Sequence, residues 1–316
     1  MGCRQSPLED VGGRFVNETT TGRTCLITGA TGYIGSSLTR YLLDRGWNVH
    51  AIVRPTSKLD NLSSGANQVT IHVHDGTQKS MLDIMRSAKP EVVFHLASLV
   101  LANHEPDLVE PLMQSNVLFG AQLLEAMRME GVVCIVNTAT HVQHYEQHDY
   151  NPVNLYAATK QAFESILSYY TETGSVRAIT LTLFETYGPN DPRRKIFTEL
   201  AQAAKTGQRL QMTPGEQWLD VVHIDDVVRG YEIAAEMVVR HKTIGSKKYM
   251  LSSGKPIQLK SLIHLYIDIT GKRLNVDWGA QPYRQRQVMI PWNRGEMLPG
   301  WKASVRLEDG LKSLDE

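Results

Sequence analysis

Thr24-Cys25-Leu26-Ile27-Thr28-Gly29-Ala30-Thr31-Gly32-Tyr33-Ile34-Gly35 is the stretch on which the reading of this chain turns. Its first five residues form a short, apolar, β-prone run, and glycines follow at once. Beyond them, Ser36 to Leu43 sets Leu38, Tyr41 and Leu42 on one helical face. A strand, a glycine turn and a helix in that order are the context that makes Gly-x-x-Gly-x-x-Gly a dinucleotide-binding signal. Gly29 permits the tight turn and Gly32 lets the backbone approach phosphates. Gly35 lets the helix pack close to the strand, so that amides at the helix start point at a pyrophosphate. Thr31, Tyr33 and Ile34 belong to the same cradle.

Working outward, Val49-His50-Ala51-Ile52-Val53 reads as a second strand and ends in Arg54, with Ser57 and Lys58 close behind. An acidic residue at that point would accept hydrogen bonds from the adenosine ribose and favour NAD. A guanidinium suits a ribose 2′-phosphate instead, so NADPH is the expected cofactor, favoured over NAD. Thr70 to Asp75 reads as a third strand, with Asp75 placed to touch the adenine.

Further strands are expected at Val92–Ala97, Val132–Asn137 and Ala178–Leu183, alternating with helical patterns that include residues 116–129 and 156–170. This alternation predicts an α/β fold, a Rossmann-type doubly wound parallel sheet. After residue 183 the pattern breaks at Tyr187-Gly188-Pro189-Asn190-Asp191-Pro192, and Val221–Val228 reads as one more strand leading into a helix. The expected organisation is a mobile N-terminal extension over residues 1–22 and a dinucleotide-binding domain of residues 23–182 plus about 219–246. A smaller, discontinuous C-terminal substrate-binding lobe takes about 183–218 plus 247–316.

Tyr156-Ala157-Ala158-Thr159-Lys160 supplies the chemistry. Positions i and i+4 share a helix face, which sets the Lys160 charge beside the Tyr156 phenol and is expected to lower its pKa from about 10. Such a tyrosine can give a proton to a carbonyl oxygen as hydride reaches the carbon, or take it back in the reverse direction. A hydroxyl at the end of the fifth strand would bond the same oxygen. In Asn137-Thr138-Ala139-Thr140 the first choice is Thr138, with Thr140 in reserve. His141, His144 and His148 follow closely and read as solvated loop histidines.

Bulk properties narrow the alternatives. The chain has 316 residues, 42% hydrophobic and 21% charged, with zero formal net charge. That balance carries no nucleic-acid or membrane footprint, and no apolar run reaches spanning length. Cys3, Cys25 and Cys134 lie far apart, with no metal-ligand spacing, and suit a reduced, cytoplasmic setting. Met1-Gly2-Cys3-Arg4-Gln5-Ser6 matches the loose myristoylation pattern, a match that short sequences often produce by chance.

From about Thr24 onward the chain resembles the extended short-chain dehydrogenase/reductase family, particularly its nucleotide-sugar branch. Besides the two motifs, the resemblance includes His95-Leu96-Ala97-Ser98, Asn116, Phe184 to Asp191, Gly215-Glu216-Gln217, Asp220 to Val228 and Gly300-Trp301-Lys302. Within the branch the chain looks most like 4-ketoreductases of the CDP-abequose and CDP-paratose synthase type, a likeness that includes Glu185. The resemblance implies a nucleotide-sugar substrate and a homodimer built on the two long helices. It sets Leu96, Ala97 and Lys160 against the cofactor, and Thr140, Glu185, Lys195 and Arg284 toward the substrate. A departure is Leu219, where relatives carry an arginine that grips the diphosphate. Arg193, Arg194, Lys195, Arg284 and Arg286 are the candidates to replace it.

Within such a family, residue types separate the activities. A 4,6-dehydratase needs an acid–base pair directly after the active-site threonine, where this chain has Ala139 and Thr140. A 4-epimerase retains NAD, against which Arg54 argues. A reductase using NADPH is the leading expectation, ahead of an epimerase, a reductase of a non-nucleotide carbonyl and a non-catalytic NADP sensor.

Overall fold

The computed structural model describes residues 22–62, 68–240 and 245–315. Apart from Gly22, the expected N-terminal extension and its Met1 to Ser6 pattern lie outside the described residues. Seven parallel strands form the central sheet. They are β1 (Thr24–Thr28), β2 (Asn48–Val53), β3 (Val69–Val73), β4 (Val92–His95), β5 (Cys134–Thr140), β6 (Arg177–Leu183) and a strand at Ser246–Leu251. Their order across the sheet is Ser246–Leu251, β6, β5, β4, β1, β2, β3. The chain runs outward from β1 in one direction and then from β4 in the other. A crevice therefore opens between β1 and β4 at the carboxyl ends of the strands, where ligands of open α/β sheets bind.

Helices α1 (Tyr33–Leu43), α2 (Gln78–Ala88), α3 (Val109–Met113), α4 (Phe119–Glu130) and α5 (Leu155–Glu172) follow in chain order. A π turn at Gln114–Leu118 joins α3 to α4, so the helix expected from residue 116 begins irregularly. After β6 come β7 (Glu185–Tyr187), α6 (Ile196–Thr206), β8 (Leu210–Met212), β9 (Trp218–Leu219), β10 (Val221–His223) and α7 (Ile224–Arg240). The strand expected over Val221–Val228 thus gives way to helix at Ile224. β11 is the sheet strand Ser246–Leu251, followed by β12 (Ile257–Gln258), α8 (Leu259–Thr270), β13 (Val276–Trp278) and α9 (Leu307–Lys312).

The two faces of the sheet are covered by separate cores. On one, Cys25, Ile27, Val49, Ala51, Phe94 and Val136 pack with Leu38 and Leu42 of α1 and with Val227, Tyr231 and Val238 of α7. On the other, Leu26, Val93, Ile135 and Ala178 meet α2, α4 and α5 through Met81, Met85, Leu123, Met127, Phe163 and Leu167. Each strand sends alternate residues to opposite sides, which is why nearly every position reads as apolar. A third core, around Tyr187, Phe197, Leu200, Leu262, Ile263, Tyr266 and Leu311, belongs to the smaller lobe.

One expected boundary moves. β11 pairs in parallel with the whole of β6, from Ser246 opposite Ala178 to Leu251 opposite Leu183. It is therefore the edge strand of the large sheet, not part of the lobe to which residues 247–316 were assigned. The return of the chain is clamped at Asp226, which is fully buried. Its carboxylate accepts from Ser304 N at 2.9 Å, Ser304 Oγ at 2.7 Å and Val305 N at 2.9 Å, and pairs with Arg229 at 2.7 Å. Its carbonyl accepts from Trp301 Nε1 at 2.8 Å. Among the described residues no helix is long and apolar enough to cross a membrane.

Candidate active site

The glycine turn has the shape a dinucleotide cradle requires. Gly29 adopts a φ of +74°, and a Cβ there would stand 2.7 Å from the amide nitrogen of Ala97. A methyl group at Gly35 would overlap the Gly29 carbonyl. Only glycine allows β1, the turn and α1 to close up against the end of β4 in this way. Gly32 donates to Gly29 O at 3.0 Å, and as N-cap of α1 it offers no side-chain acceptor to the first-turn amides. These amides are the donors that an anionic pyrophosphate satisfies. Leu96 and Ala97 close the other wall, donating their amides to Thr28 O and Thr28 Oγ1, each at 3.2 Å.

The remaining cofactor candidates occupy distinct places around the cradle. Thr31 accepts from Asn61 Nδ2 through its carbonyl at 2.8 Å. Tyr33 is buried, donates its hydroxyl to Pro189 O at 3.2 Å and carries the Arg193 guanidinium 4.7 Å over its ring. Arg54 is exposed at the tip of β2, its amide donating to Ser57 Oγ at 3.0 Å. Asp75 is exposed beyond β3, and one carboxylate oxygen accepts from both Thr77 N (2.9 Å) and Thr77 Oγ1 (2.7 Å) in the turn into α2.

Tyr156 stands in the first turn of α5. Asn154 caps that helix, accepting from Ala157 N at 2.9 Å and donating to Leu101 O and Ala102 O at 3.2 Å each. The loop after β4 is held from the other side by Asn116. Its Oδ1 accepts from Ser98 Oγ (3.1 Å) and Leu99 N (2.7 Å), while its Nδ2 donates to Leu99 O (3.0 Å) and Thr159 Oγ1 (2.9 Å). All the hydrogen-bonding capacity of this buried amide is spent on fixing Ser98 and α5 together. The hydroxyls of Thr140 and Ser98 both lie close enough to the Tyr156 phenol to favour its ionised form.

Electrostatics at this point overturn one expectation. Burial pushes the Tyr156 phenol up to about 12, against the pull of the Thr140 and Ser98 hydroxyls and with a further push from Glu185. The Lys160 charge does not offset this rise. Lys160 is itself only 2% exposed, and burial brings its ammonium down to about 8, opposed by Glu164 and assisted by Lys248. Nearby His95 is fully enclosed, its Nδ1 2.9 Å from Thr28 Oγ1, and burial plus the Lys160 charge hold it down at about 3. It is neutral at physiological pH.

Thr138, the first choice among hydroxyls, is engaged elsewhere. It donates to His95 O at 2.8 Å and lies 2.6 Å from the hydroxyl of Tyr231. Thr140 instead shares the neighbourhood of Tyr156 with Glu185. Glu185 is paired with Lys195 (3.1 Å) and lies 3.9 Å from His141 Nε2. Burial pushes its carboxyl up, but Lys195 and His141 outweigh that and hold it well below the usual carboxylate range. Thr140, Glu185 and Lys195, expected to face substrate, are thus brought together beside Tyr156.

Arg284 is not among them; it is exposed in the C-terminal segment. Its neighbour Arg286 bonds Asn151 Oδ1 and lies 4.3 Å over the Tyr145 ring. Arg193 is held by Asp191 (2.7 Å) and Arg194 by Glu199 (2.9 Å). Leu219 packs against the core of the smaller lobe. Two of the three loop histidines also differ from expectation, while the third is exposed as expected. His141 stacks on Phe184 at 5.1 Å and buried His144 on Trp292 at 3.8 Å; His148 is exposed. Ser98 and Asn154 were missed as site residues. A hydroxyl three residues after strand β4, and an Asn two residues before the helical tyrosine, were the available signals.

The profile of the NAD dependent epimerase/dehydratase family matches residues 25–245. The chain belongs to this family. It is accordingly an enzyme of the extended short-chain dehydrogenase/reductase type, with nicotinamide-dependent chemistry. It is 25% identical to a CDP-abequose synthase of Salmonella muenchen, covering 92% of this chain and 96% of that one. It is 30% identical to a UDP-glucose 4-epimerase of Mycolicibacterium smegmatis, covering 90% and 95%. Among solved structures, the UDP-glucose 4-epimerase of Stenotrophomonas maltophila with bound NAD and formylated UDP-arabinopyranose superimposes with a TM-score of 0.82. It is 21% identical, over 92% of this chain and 96% of that one. The likeness to that structure confirms the fold.

Proposed function

We propose that this enzyme is an NADPH-dependent reductase of a nucleotide-linked 4-keto-6-deoxysugar. The observation that carries the reading is the place of the Tyr156 phenol, in the first turn of α5 with Thr140, Ser98 and Glu185 around it. A phenol protonated at physiological pH has a proton to give to a carbonyl oxygen as hydride arrives. Bound nicotinamide supplies the hydride. Tyr156 delivers its proton to the carbonyl oxygen at C4, and the hydroxyls beside it stabilise the phenolate left behind. The Lys160 ammonium, charged below about pH 8, adds a positive field and a donor for the nicotinamide ribose. Glu185 and Lys195 orient the sugar. The absence of an acidic side chain at Ala139 and Thr140 leaves no acid–base pair for dehydration.

Choice of cofactor follows from the tip of β2. Buried Val53 offers no ribose acceptor, and exposed Arg54 is free to meet a 2′-phosphate with Ser57 and Lys58 beside it. A 4-epimerase that retains NAD is the second reading, favoured by the 30% identity to an enzyme of that name. A homodimer through α4 and α5 is part of the proposal. Met129 (54% exposed) and Tyr169 (64%) leave apolar surface on those elements for a second copy to cover.

The test is a fluorescence titration with NADPH and with NADH, followed by assay on a nucleotide-linked 4-keto-6-deoxysugar. NADPH is expected to bind at least about tenfold more tightly, a difference of about 1.4 kcal/mol, and Arg54→Ala to close the gap. Tyr156→Phe should abolish turnover with cofactor affinity retained. NAD co-purifying with the protein, with turnover in the absence of added cofactor, would replace the reductase by the epimerase.

A further inference from the structure

We propose that Tyr231 is a positioning residue that draws the Thr138 hydroxyl into the core and so leaves Thr140 as the threonine that hydrogen-bonds the Tyr156 phenol during proton transfer. This rests on the reading of Tyr156 as proton donor. Both threonines lie on the last three residues of β5, beyond the point where Asn137 pairs with His95 and β4 ends. Two hydroxyls are therefore presented at the crevice, and their surroundings decide between them.

Thr138 has the strand parity of Cys134 and Val136, whose side chains belong to the core under α7. There it meets Tyr231, a fully buried tyrosine packed edge-on to Phe94 at 6.3 Å. The Tyr231 hydroxyl lies 2.6 Å from Thr138 Oγ1, and Thr138 donates its own proton to His95 O at 2.8 Å. A threonine hydroxyl has one proton to give. Turning it toward Tyr156 would break the bond to His95 O and strip a phenol in an apolar core of its partner, the costly kind of loss.

Thr140 shares that strand parity, but its backbone is tied toward α5. Its amide donates to Gln143 Oε1 at 3.1 Å. Gln143 is fully buried, and its Nε2 donates to Gln161 Oε1 at 3.0 Å and Glu164 Oε1 at 2.8 Å. One carboxamide thus ties the backbone of Thr140 to the helix that carries Tyr156 and Lys160. The Thr140 side chain accepts from the Gln143 backbone N–H in a capping box, which leaves its own proton to serve the phenol, beside Ser98.

Three variants test the assignment on the whole chain with NADPH and a nucleotide-linked 4-ketosugar. Thr140→Val should lose about 10²-fold in kcat, the scale of a donor acting in the transition state. Thr138→Val combined with Tyr231→Phe removes both members of the buried pair, which avoids an orphaned phenol, and should cost about tenfold less than Thr140→Val. Tyr231→Phe added to Thr140→Val frees Thr138 to turn and should restore about tenfold. A merely structural role for Tyr231 gives no such rescue. The proposal is overturned if the Thr138/Tyr231 double variant is the more damaged, or if Tyr231→Phe fails to rescue Thr140→Val.

A second readout needs no turnover. In protein carrying ring-labelled tyrosine, the Tyr156 Cζ resonance, assigned by its loss in Tyr156→Phe, should move in Thr140→Val and stay in place in the Thr138/Tyr231 double variant. The reverse pattern overturns the proposal. Wild-type protein inert toward every nucleotide-linked ketosugar would sink the functional reading alone and leave the resonance test decisive for this one.

Discussion

Replacing Lys160 by methionine should make the ligand-free protein more stable while removing its activity. The ammonium is 2% exposed, and burial takes its pKa from an ordinary 10.5 to about 8. At about 1.4 kcal/mol per tenfold change in proton affinity, the charged form is penalised in the fold by about 3 kcal/mol. Methionine fills nearly the same volume without charge. At pH 7 lysine is protonated in both folded and unfolded chains, so the whole penalty is present and its removal is worth up to that amount. For a chain of this length that is about 5 °C in melting temperature. Between about pH 8 and 10.5 the unfolded state keeps a proton that the folded state has released, so wild-type stability rises with pH through this window. The advantage of Lys160→Met must therefore be full below pH 8 and vanish toward 10.5. Thermal scans of both proteins without cofactor, from pH 6 to 10.5, measure it. A variant no more stable at pH 7, or an advantage that does not shrink with rising pH, would refute the buried-charge account. A stabilised, inactive variant is the outcome expected when a site holds a charge at the expense of the fold.

Other outcomes follow from the same geometry. Gly35→Ala drives a methyl into the Gly29 carbonyl, and fluorescence titration should find cofactor binding weakened by at least about 10²-fold, since overpacking of about 3 kcal/mol falls on the cradle itself. Asp226→Asn loses part of a four-donor clamp on Ser304, Val305 and Arg229; a loss of about 2–4 kcal/mol, read by urea denaturation, is expected, with the C-terminal segment becoming the first site of proteolysis. His95, held at about 3 against an ordinary 6.5, binds no proton in the fold while the unfolded chain takes one up below pH 6.5. Stability should fall by about 2 kcal/mol between pH 7 and 5 from this residue alone, and His95→Asn should lack that component of the slope; an unchanged slope would remove His95 as its source.

How much of this was legible beforehand differs from residue to residue. The turn at Gly29 to Gly35 declared itself because its glycines answer a local steric demand, and the strand and helix on either side answer local hydrophobic periodicity. Tyr156 and Lys160 could be paired on one face because helix geometry alone puts i and i+4 together. The assignment of β11 failed because Ser246-Lys247-Lys248 looks polar and solvated, whereas what makes it a strand is the exposed edge of β6 waiting to be paired. His141 and His144 were misread for a similar reason: their aromatic partners are Phe184 and Trp292, far away along the chain.

The linear sequence determined the elements whose causes lie within a few residues: the parallel α/β alternation, the dinucleotide turn, and the tyrosine–lysine face of α5. Only the tertiary structure decided what surrounds them. Burial, which no spacing encodes, raises the Tyr156 phenol to about 12 where the adjacent lysine suggested the reverse. Contacts across the fold, from Tyr231 to Thr138 and from Gln143 to Gln161 and Glu164, distinguish two threonines that the sequence presents as near equals. Proton affinity and hydroxyl orientation depend on dielectric and on partners brought from distant segments, and those exist only once the chain has closed.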